Sequence, residues 1–470
     1  AGTAEVEDPF LWLEAREGTR SLEWVTAHDD STVSVLGTGA LFDSLRAEAL
    51  AILDAQERIP YVSFAGNYLY NFWQDAEHVR GLYRRTTIDE YVKADPKWET
   101  VLDYDSLNRL ENRSWVSKGV IALPPDFRHS LVLLSDGGKD AVQVREFDLS
   151  SKTFVGNGFF LPDAKSSVAW YDQNTLIVGT DFGEGSLTTS GYPRITKLWK
   201  RGTPLTDAVT VLDGVLSDVS VSGSVTFRPE GNTRLFHRGN SFWKSRKWIM
   251  NEEGVLQELP IPLDAQVRGF YKNHAIVLLY SDWQGIPGGS VVSLKLGAVA
   301  SPDMHSAIDV VYQPDETSTV TNVSVIKDFV LVSILRNVRG RILSFALADS
   351  AGTQQWQGDE LELPGYGAGG IASASAYQNA LMVTFQDFLS PTRLYWLDSP
   401  QAQPRVMKSL PSQFDSTGLN ITQGHATSKD GTAIPYFVVS RENLTLDGTN
   451  PTLLYGYGGF RSPQTPSYSA

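Results

Sequence analysis

Ala275-Ile276-Val277-Leu278-Leu279 is a short apolar run that follows a Lys272-Asn273 turn and has the composition of a buried strand. Six similar runs occur elsewhere: Tyr68–Phe72, Leu131–Leu134, Thr175–Val178, Arg234–Phe236, Phe329–Val332 and Ala380–Val383. Between one position in each run, the intervals are 62, 45, 59, 41, 54 and 51 residues. This recurrence indicates an all-β repeat rather than a single irregular sheet.

Most of these strands are followed by a second strand that ends in a polar turn, as in Val142–Leu149, Lys197–Gly202 and Arg393–Asp398. Seven units of about fifty residues fit blades of four strands, and radial repetition of small sheets avoids long open edges. We therefore predict a seven-bladed β-propeller over residues 57–408. Two stacked β-sandwiches are the alternative.

The sequence on either side of this region has a different pattern of apolar and polar residues. Residues 1–56 are predicted to be helical, beginning at Asp8-Pro9-Phe10, because Pro is favoured at the first position of a helix. Trp12 and Trp24 are expected to pack in a core. From residue 409, a Ser428–Thr432 turn leads into a strand at Ile434–Val439, which predicts the first strands of an α/β sheet.

The stretch Leu453–Phe460 combines two leucines with alternating Gly and Tyr. We expect Leu453-Leu454 to form a short buried strand. The glycines after it allow a sharp turn and a close approach of the backbone to another group.

Composition excludes several classes of function. The 40 basic and 54 acidic residues give a net charge of −14, which argues against a nucleic-acid partner and against an anionic membrane surface. With no cysteine, the chain has no disulfide, thiolate nucleophile or Cys-ligated metal. The seven histidines show no metal-ligand spacing, so we expect no metal and no cofactor. No apolar run is long enough to span a membrane, and the N-terminal residues do not form a signal peptide.

Three motifs in order resemble the prolyl oligopeptidase family of serine peptidases: Asp8–Glu14, Ser428–Thr432 and Tyr455-Gly456-Tyr457-Gly458-Gly459-Phe460. The resemblance implies a mainly β chain: a helical segment (1–56) packed on the hydrolase domain, a seven-bladed β-propeller (57–408) and the start of an α/β-hydrolase catalytic domain (409–470). It also implies a peptidase that cleaves short peptides after proline, with the propeller restricting access. We expect a monomer in the cytoplasm, with the periplasm as the alternative compartment.

The resemblance gives two residues a role. The hydroxyl of Tyr457 would donate a hydrogen bond to the oxyanion of the tetrahedral intermediate, and a phenol is a suitable neutral donor. Phe460 would form part of the apolar pocket for the proline ring, which an aromatic side chain matches in shape.

The chain departs from the family pattern at the nucleophile. No serine has glycine at both positions two residues away, as the Gly-x-Ser-x-Gly elbow requires; Ser241 and Ser290 each have only the first glycine. The Ser-Asp-His triad is therefore expected beyond Ala470.

Two alternatives remain open: a non-catalytic propeller that binds peptides or a partner protein, and an oligopeptidase specific for basic residues. Two basic clusters, Arg84-Arg85 and Lys244–Lys247, either face the propeller tunnel, where they would meet a substrate carboxylate, or lie at solvated blade edges. The loop before Asp430-Gly431 contains His425, for which a catalytic role has little support.

Overall fold

A computed structural model describes residues 8–15, 17–53, 57–298, 307–350, 353–363, 367–457 and 463–469. The chain divides into two compact units, Ala1–Arg58 and Ile59–Ala470.

The first unit is helical, as predicted. A 3-10 turn at Leu11–Glu14 precedes α1 (Thr19–Leu36) and α2 (Ala40–Leu53). Asp8 starts the turn, because its carboxylate accepts a hydrogen bond from the Phe10 amide at 2.8 Å. The expectation of core packing for both tryptophans is wrong within this unit. Trp24 is exposed; its ring meets that of half-buried Trp12 edge to face and stacks on the His28 ring. Two helices alone enclose too little volume to bury an indole.

Among the described residues, the second unit contains eight antiparallel sheets, and the seven with four or five strands are the blades of the predicted seven-bladed propeller, which is confirmed. Blades 1 to 3 comprise β1 (Ser63–Ala65), β2 (Tyr68–Trp73), β3 (Leu82–Thr86) and β4 (Glu99–Asp103); β5 (Trp115–Ala122), β6 (His129–Asp136), β7 (Val142–Asp148), β8 (Thr153–Phe154) and β9 (Phe160–Ala164); and β10 (Ser167–Asp172), β11 (Thr175–Gly179), β12 (Ile195–Lys200) and β13 (Val209–Asp213). Blade 1 is followed by the helix α4 (Tyr104–Glu111), and its third and fourth strands are separated by the short helix α3 (Ile88–Tyr91).

Blades 4 and 5 comprise β14 (Ser220–Thr226), β15 (Thr233–Gly239), β16 (Ser245–Met250) and β17 (Leu256–Glu258), then β18 (Gln266–Tyr271), β19 (His274–Leu278), β20 (Val291–Lys295) and β21 (Ile308–Tyr312). Blades 6 and 7 comprise β22 (Ser318–Val325), β23 (Val330–Arg336), β24 (Arg339–Ser350) and β25 (Thr353–Glu360), then β26 (Ala368–Ser373), β27 (Leu381–Gln386), β28 (Arg393–Leu397) and β29 (Arg405–Ser409). Short 3-10 turns occur at Leu205–Asp207 and Leu296–Ala298.

The seven apolar runs of the sequence are the second strands of the blades. β19 is the clearest case, because all five of its residues are buried. The second strand is covered on both faces by the neighbouring blades, and a strand covered on both faces reads as a continuous apolar run. The first strands of successive blades contact one another, as β10 contacts β14 and β18 contacts β22, and they surround the central channel.

The strand order fixes what lies at each end of the channel. In every blade the turn between the first and second strands lies at one end, which we call the distal end; residues 227–232 form this turn in blade 4. The turns between second and third strands and the links between blades lie at the other, proximal end. The chain enters blade 1 and leaves blade 7 at the proximal end, since an antiparallel sheet of four strands returns the chain to its starting side.

Blades 1 and 7 close the ring by apolar packing. Leu69 and Tyr91 of blade 1 form one cluster with Met382 and Trp396 of blade 7. Among the described strands none is shared between these two sheets. The junction therefore depends on side-chain contact rather than on a strand exchanged between the ends of the propeller.

After the last blade, β30 (Leu419–Thr427) and β31 (Ala433–Arg441) form a separate hairpin. Its turn is the predicted Ser428–Thr432 stretch. Gly431 has a φ of +87°, which favours glycine, and the Asp430 carboxylate accepts a hydrogen bond from the Thr432 amide at 3.0 Å. The expectation that His425 lies in a loop is wrong. His425 is within β30, opposite Pro435. The register of nine residue pairs ends at Thr427 and Ala433, directly on either side of this turn.

Candidate active-site face of the propeller

The hairpin β30–β31 lies against the proximal end of the propeller. The Gln423 side chain of β30 donates a hydrogen bond to the Asn337 carbonyl, in the turn between β23 and β24, at 2.6 Å. Phe437 of β31 contacts Phe388, in the corresponding turn of blade 7, edge to face with ring centroids 5.5 Å apart. The segment after the hairpin returns to the same face, because the Tyr468 amide donates a hydrogen bond to the Gln386 side-chain oxygen, at the proximal end of β27, at 3.3 Å.

A cationic cavity of about 310 Å³ lies where β30 meets blade 6. Arg336, Arg339 and Arg341 line it together with Gln423 and His425. The carboxylate of Glu360 forms ion pairs with Arg336 at 3.4 Å and with Arg341 at 3.0 Å. Three guanidinium groups and this one carboxylate leave a net positive charge at the proximal face, which favours acidic groups there.

Tyr457 lies in a segment without regular secondary structure, residues 451–457, and its side chain is 55% exposed. Phe460 lies outside the described residues. The expected buried strand at Leu453-Leu454 is wrong for the described chain, because these side chains are 92% and 94% exposed. Leucines in an extended segment are buried only when another layer covers them, and no described element packs on this pair.

The distal mouth of the channel is bridged by side chains that skip a blade. Arg228, from the first turn of blade 4, donates hydrogen bonds to the Ile326 carbonyl at 3.2 Å and the Lys327 carbonyl at 2.8 Å, both in blade 6. Phe127 of blade 2 contacts Tyr377 of blade 7 across blade 1, with ring centroids 5.9 Å apart. Contacts between non-adjacent blades cross the mouth, so they narrow it.

A cavity of about 410 Å³ occupies this end, with lining residues from blades 2, 3, 4 and 7. Burial raises the pKa of the Tyr377 phenol, while the positive charge of Arg228 acts in the opposite direction. Tyr377 therefore stays neutral at physiological pH and acts at the mouth as an apolar ring with a polar tip.

One residue of each basic cluster lies in neither of the predicted environments, whereas Lys244 and Arg246 are exposed, as the solvated-edge alternative predicts. Arg85 is buried at the junction of blades 1 and 2, where its guanidinium donates to Glu99 at 2.6 Å and to the Leu149 carbonyl at 3.0 Å. Lys247 is buried in blade 4. Alternation along a strand turns every second side chain toward a neighbouring blade, so one residue of each basic cluster becomes enclosed.

Sequence reasoning missed the residues that bridge the distal mouth and those of the cationic cavity. Arg228 precedes Pro229, and this pair predicts only a turn. The hydrogen-bond partners of Arg228 are 98 and 99 residues away in the chain, so the local sequence does not reveal them. The run Arg336-Asn337-Val338-Arg339-Gly340-Arg341 was the available signal for the cavity, because three arginines flank a tight turn.

Within the described part of the chain, no group of three or more histidine and acidic side chains is placed to hold a metal ion. The described helices are all too short or too polar to cross a bilayer.

Comparison with known proteins places the chain in a family. The family model for the prolyl oligopeptidase N-terminal beta-propeller domain matches residues 2–409. An uncharacterized peptidase of Sinorhizobium fredii is 38% identical over 486 aligned residues, which cover 99% of this chain and 65% of that protein. An uncharacterized peptidase of Rickettsia prowazekii is 28% identical, with 97% of this chain and 65% of that protein covered.

The fold agrees with a solved structure of the same group. A post-proline cleaving enzyme from Rickettsia typhi superimposes with a TM-score of 0.88 at 28% identity, over 97% of this chain and 68% of that one. The chain thus spans about 65% of the length of the two relatives named above. It belongs to the prolyl oligopeptidase family and contains that family's N-terminal β-propeller domain.

Proposed function

We propose that this chain is the propeller-bearing part of a serine peptidase that hydrolyses short peptides after proline. The observation that carries the proposal is the similarity, over 97% of the chain, to a structure described as a post-proline cleaving enzyme. The relatives extend beyond the matched region by about a third of their length, which is room for a catalytic domain.

The proposed reaction proceeds through an acyl-enzyme. A serine outside these 470 residues attacks the carbonyl carbon of the substrate proline, and a histidine takes the serine proton. The carbonyl oxygen becomes an oxyanion, which the Tyr457 hydroxyl stabilises by donating a hydrogen bond. The C–N bond then breaks, the histidine returns the proton to the leaving amine, and water hydrolyses the ester. Phe460 would contact the proline ring.

The propeller is proposed to limit access to this site. Side chains of blades 2, 4 and 7 and backbone carbonyls of blade 6 bridge the distal mouth, so we infer that peptides approach from the proximal face instead. The hairpin β30–β31 contacts blades 6 and 7 on that face, which supports the proposal that a folded protein is kept out. Short unstructured peptides are therefore the expected substrates.

Reporter peptides test the specificity. A Gly-Pro reporter should be cleaved by the longest natural form of the protein, and a Gly-Arg reporter should be cleaved poorly. Cleavage of the arginine reporter alone would establish the alternative, specificity for basic residues. If neither is cleaved, and the protein also fails to react with a fluorophosphonate probe for active serines, the peptidase assignment is wrong.

A further inference from the structure

Three polar side chains form a row across blade 4. Ser222 of β14 is opposite His237 of β15, which in turn is opposite Lys247 of β16. Residues directly opposite in an antiparallel sheet have side chains on the same face. This face is turned toward blade 5, because Leu235 and Ile249, one step along the same face, pack in the core of blade 5.

A cavity of about 210 Å³ lies beside this row. Ser224, Leu235, His237 and Lys247 line it from blade 4, and Gln266 and Val267 line it from blade 5. The row lies two positions from the end of β15, near the turn at residues 240–244. That turn belongs to the proximal end of the propeller, so the cavity lies near the end that the peptide is proposed to approach.

Lys247 is a buried cation without a close acidic partner. Its side chain is 8% exposed, and its ammonium donates to the Ser245 carbonyl at 3.1 Å and the Ser245 hydroxyl at 2.8 Å. The negative charge of Asp264 acts on Lys247, but no ion pair joins the two in the described part of the chain, and Asp264 accepts a hydrogen bond from Ser281. Enclosing an uncompensated charge is costly, so a cavity beside it is suited to an anion.

His237 and Ser222 are hydrogen-bonded to each other in the row that contains Lys247. The Nδ1 atom of His237 is 2.7 Å from the Ser222 hydroxyl, which leaves Nε2 as the second ring nitrogen. Burial lowers the pKa of His237, and the charge of Lys247 lowers it further. Burial also lowers the pKa of Lys247, to about 8, although Asp264 opposes the change. At neutral pH the lysine still carries its charge in most molecules.

The geometry points to a carboxylate-binding site formed by Lys247, His237 and Gln266 between blades 4 and 5. Lys247 would supply the charge, and the Gln266 amide would donate to the second carboxylate oxygen. The volume corresponds to about seven water molecules, enough for acetate or for the terminal residue of a peptide. A carboxylate there comes either from a small free acid or from the C-terminus of a short peptide. The second source rests on the proposed function.

Trace reductive methylation, followed by mass spectrometry of each lysine, tests the site in the unmodified protein. Sodium acetate, N-acetylglycylglycine and its C-terminal amide are compared with sodium chloride at equal ionic strength. A bound carboxylate that raises the pKa of Lys247 by about one unit lowers its reactive amine fraction, and hence its labelling, about tenfold near pH 7. Lys244, in the adjacent turn, should label equally in all four solutions, which makes it the internal control.

The two carboxylate arms distinguish the sources. Protection at a much lower concentration of N-acetylglycylglycine than of acetate identifies a peptide C-terminus, and equal protection identifies a small free acid. Equal protection by the amide, or none by either acid, overturns the site. If Lys247 does not label in chloride, the thermal midpoint decides instead: it should rise in acetate relative to chloride, and an unchanged midpoint contradicts the site. Neither readout requires turnover, so failure of the peptidase assignment would be detected separately.

Discussion

Tyr457 is the residue on which the proposed chemistry depends most within this chain. Removing one oxyanion donor reduces kcat about 10²–10³-fold in well-studied enzymes. Tyr457→Phe in the longest natural form of the protein should therefore lower kcat for a Gly-Pro reporter to that extent, with little change in KM. Tyr455→Phe is the matched control, because Tyr455 is an exposed tyrosine of the same motif. An unchanged kcat for Tyr457→Phe would remove this residue from the mechanism.

Among the described residues of the propeller, Glu146 is the most deeply buried carboxylate, at 1% exposure. It accepts two hydrogen bonds from Arg201, at 2.6 and 2.9 Å, and one from the Phe159 amide at 2.9 Å. Breaking such a buried pair costs about 3–5 kcal/mol. Glu146→Gln should lower the free energy of unfolding by that amount in urea denaturation at pH 7. Glu258→Gln, which removes an exposed partner of Arg246, should cost less than about 1 kcal/mol.

The stabilisation from Glu146 should disappear in acid. Burial alone would raise the pKa of this carboxyl, but Arg201 and the Phe159 amide hold it below its ordinary value. A carboxyl group whose pKa is lower in the folded than in the unfolded protein stabilises the fold above the unfolded pKa of about 4.3. This stabilisation is lost as the pH falls through the pKa of the folded state. The difference between wild type and Glu146→Gln should therefore be constant near pH 7 and shrink below about pH 4. A difference that grew in acid would contradict this assignment.

Among the elements, the turn between β23 and β24 has a strained backbone conformation that a single substitution should relieve. It is a two-residue turn in which Asn337 and Val338 have φ values of +49° and +62°. Both central residues of such a turn need a positive φ, which the sequence Asn-Gly adopts readily. A β-branched residue with a positive φ has a steric clash that costs about 1–2 kcal/mol.

Val338→Gly should raise the free energy of unfolding by about 1 kcal/mol, because it removes the clash while glycine gains some freedom in the unfolded chain. Val338→Ala is the control, since alanine keeps a Cβ and should change stability little. Both are measured by urea denaturation. A destabilised glycine variant would mean that the Val338 side chain contributes packing that outweighs its strain.

The burial of each strand also explains which strands could be predicted from the sequence and which could not. The second strands, such as β19, were predictable because both faces are buried and the residues are uniformly apolar. The outer strands β13 and β17 have exposed residues and no such run, so local pattern does not reveal them. The role of Tyr457 came from resemblance alone. The buried position of Lys247 depends on the packing of blade 4 against blade 5, which no local pattern specifies.

At the scale of the whole molecule, Arg228 connects blades that are not neighbours. Its side chain is 2% exposed and its guanidinium binds the Ile326 and Lys327 carbonyls and Glu230. Arg228→Met keeps the length of the stem and removes these hydrogen bonds, each worth about 1.5–3 kcal/mol when one partner is charged. We expect the free energy of unfolding to fall by at least about 2 kcal/mol. Arg246→Met, at an exposed arginine, should have little effect, and equal effects would argue against a structural role for the bridge.

The dependence of cleavage on substrate size tests the proposed function of the whole molecule most directly. The substrates are a nine-residue peptide with one central proline, and the same nine residues placed in an exposed loop of a stable folded protein. The longest natural form of this protein should cut the free peptide after proline and leave the folded carrier intact. Cleavage of both at similar rates, or of the free peptide at a residue other than proline, would contradict a proline-specific peptidase whose propeller limits access.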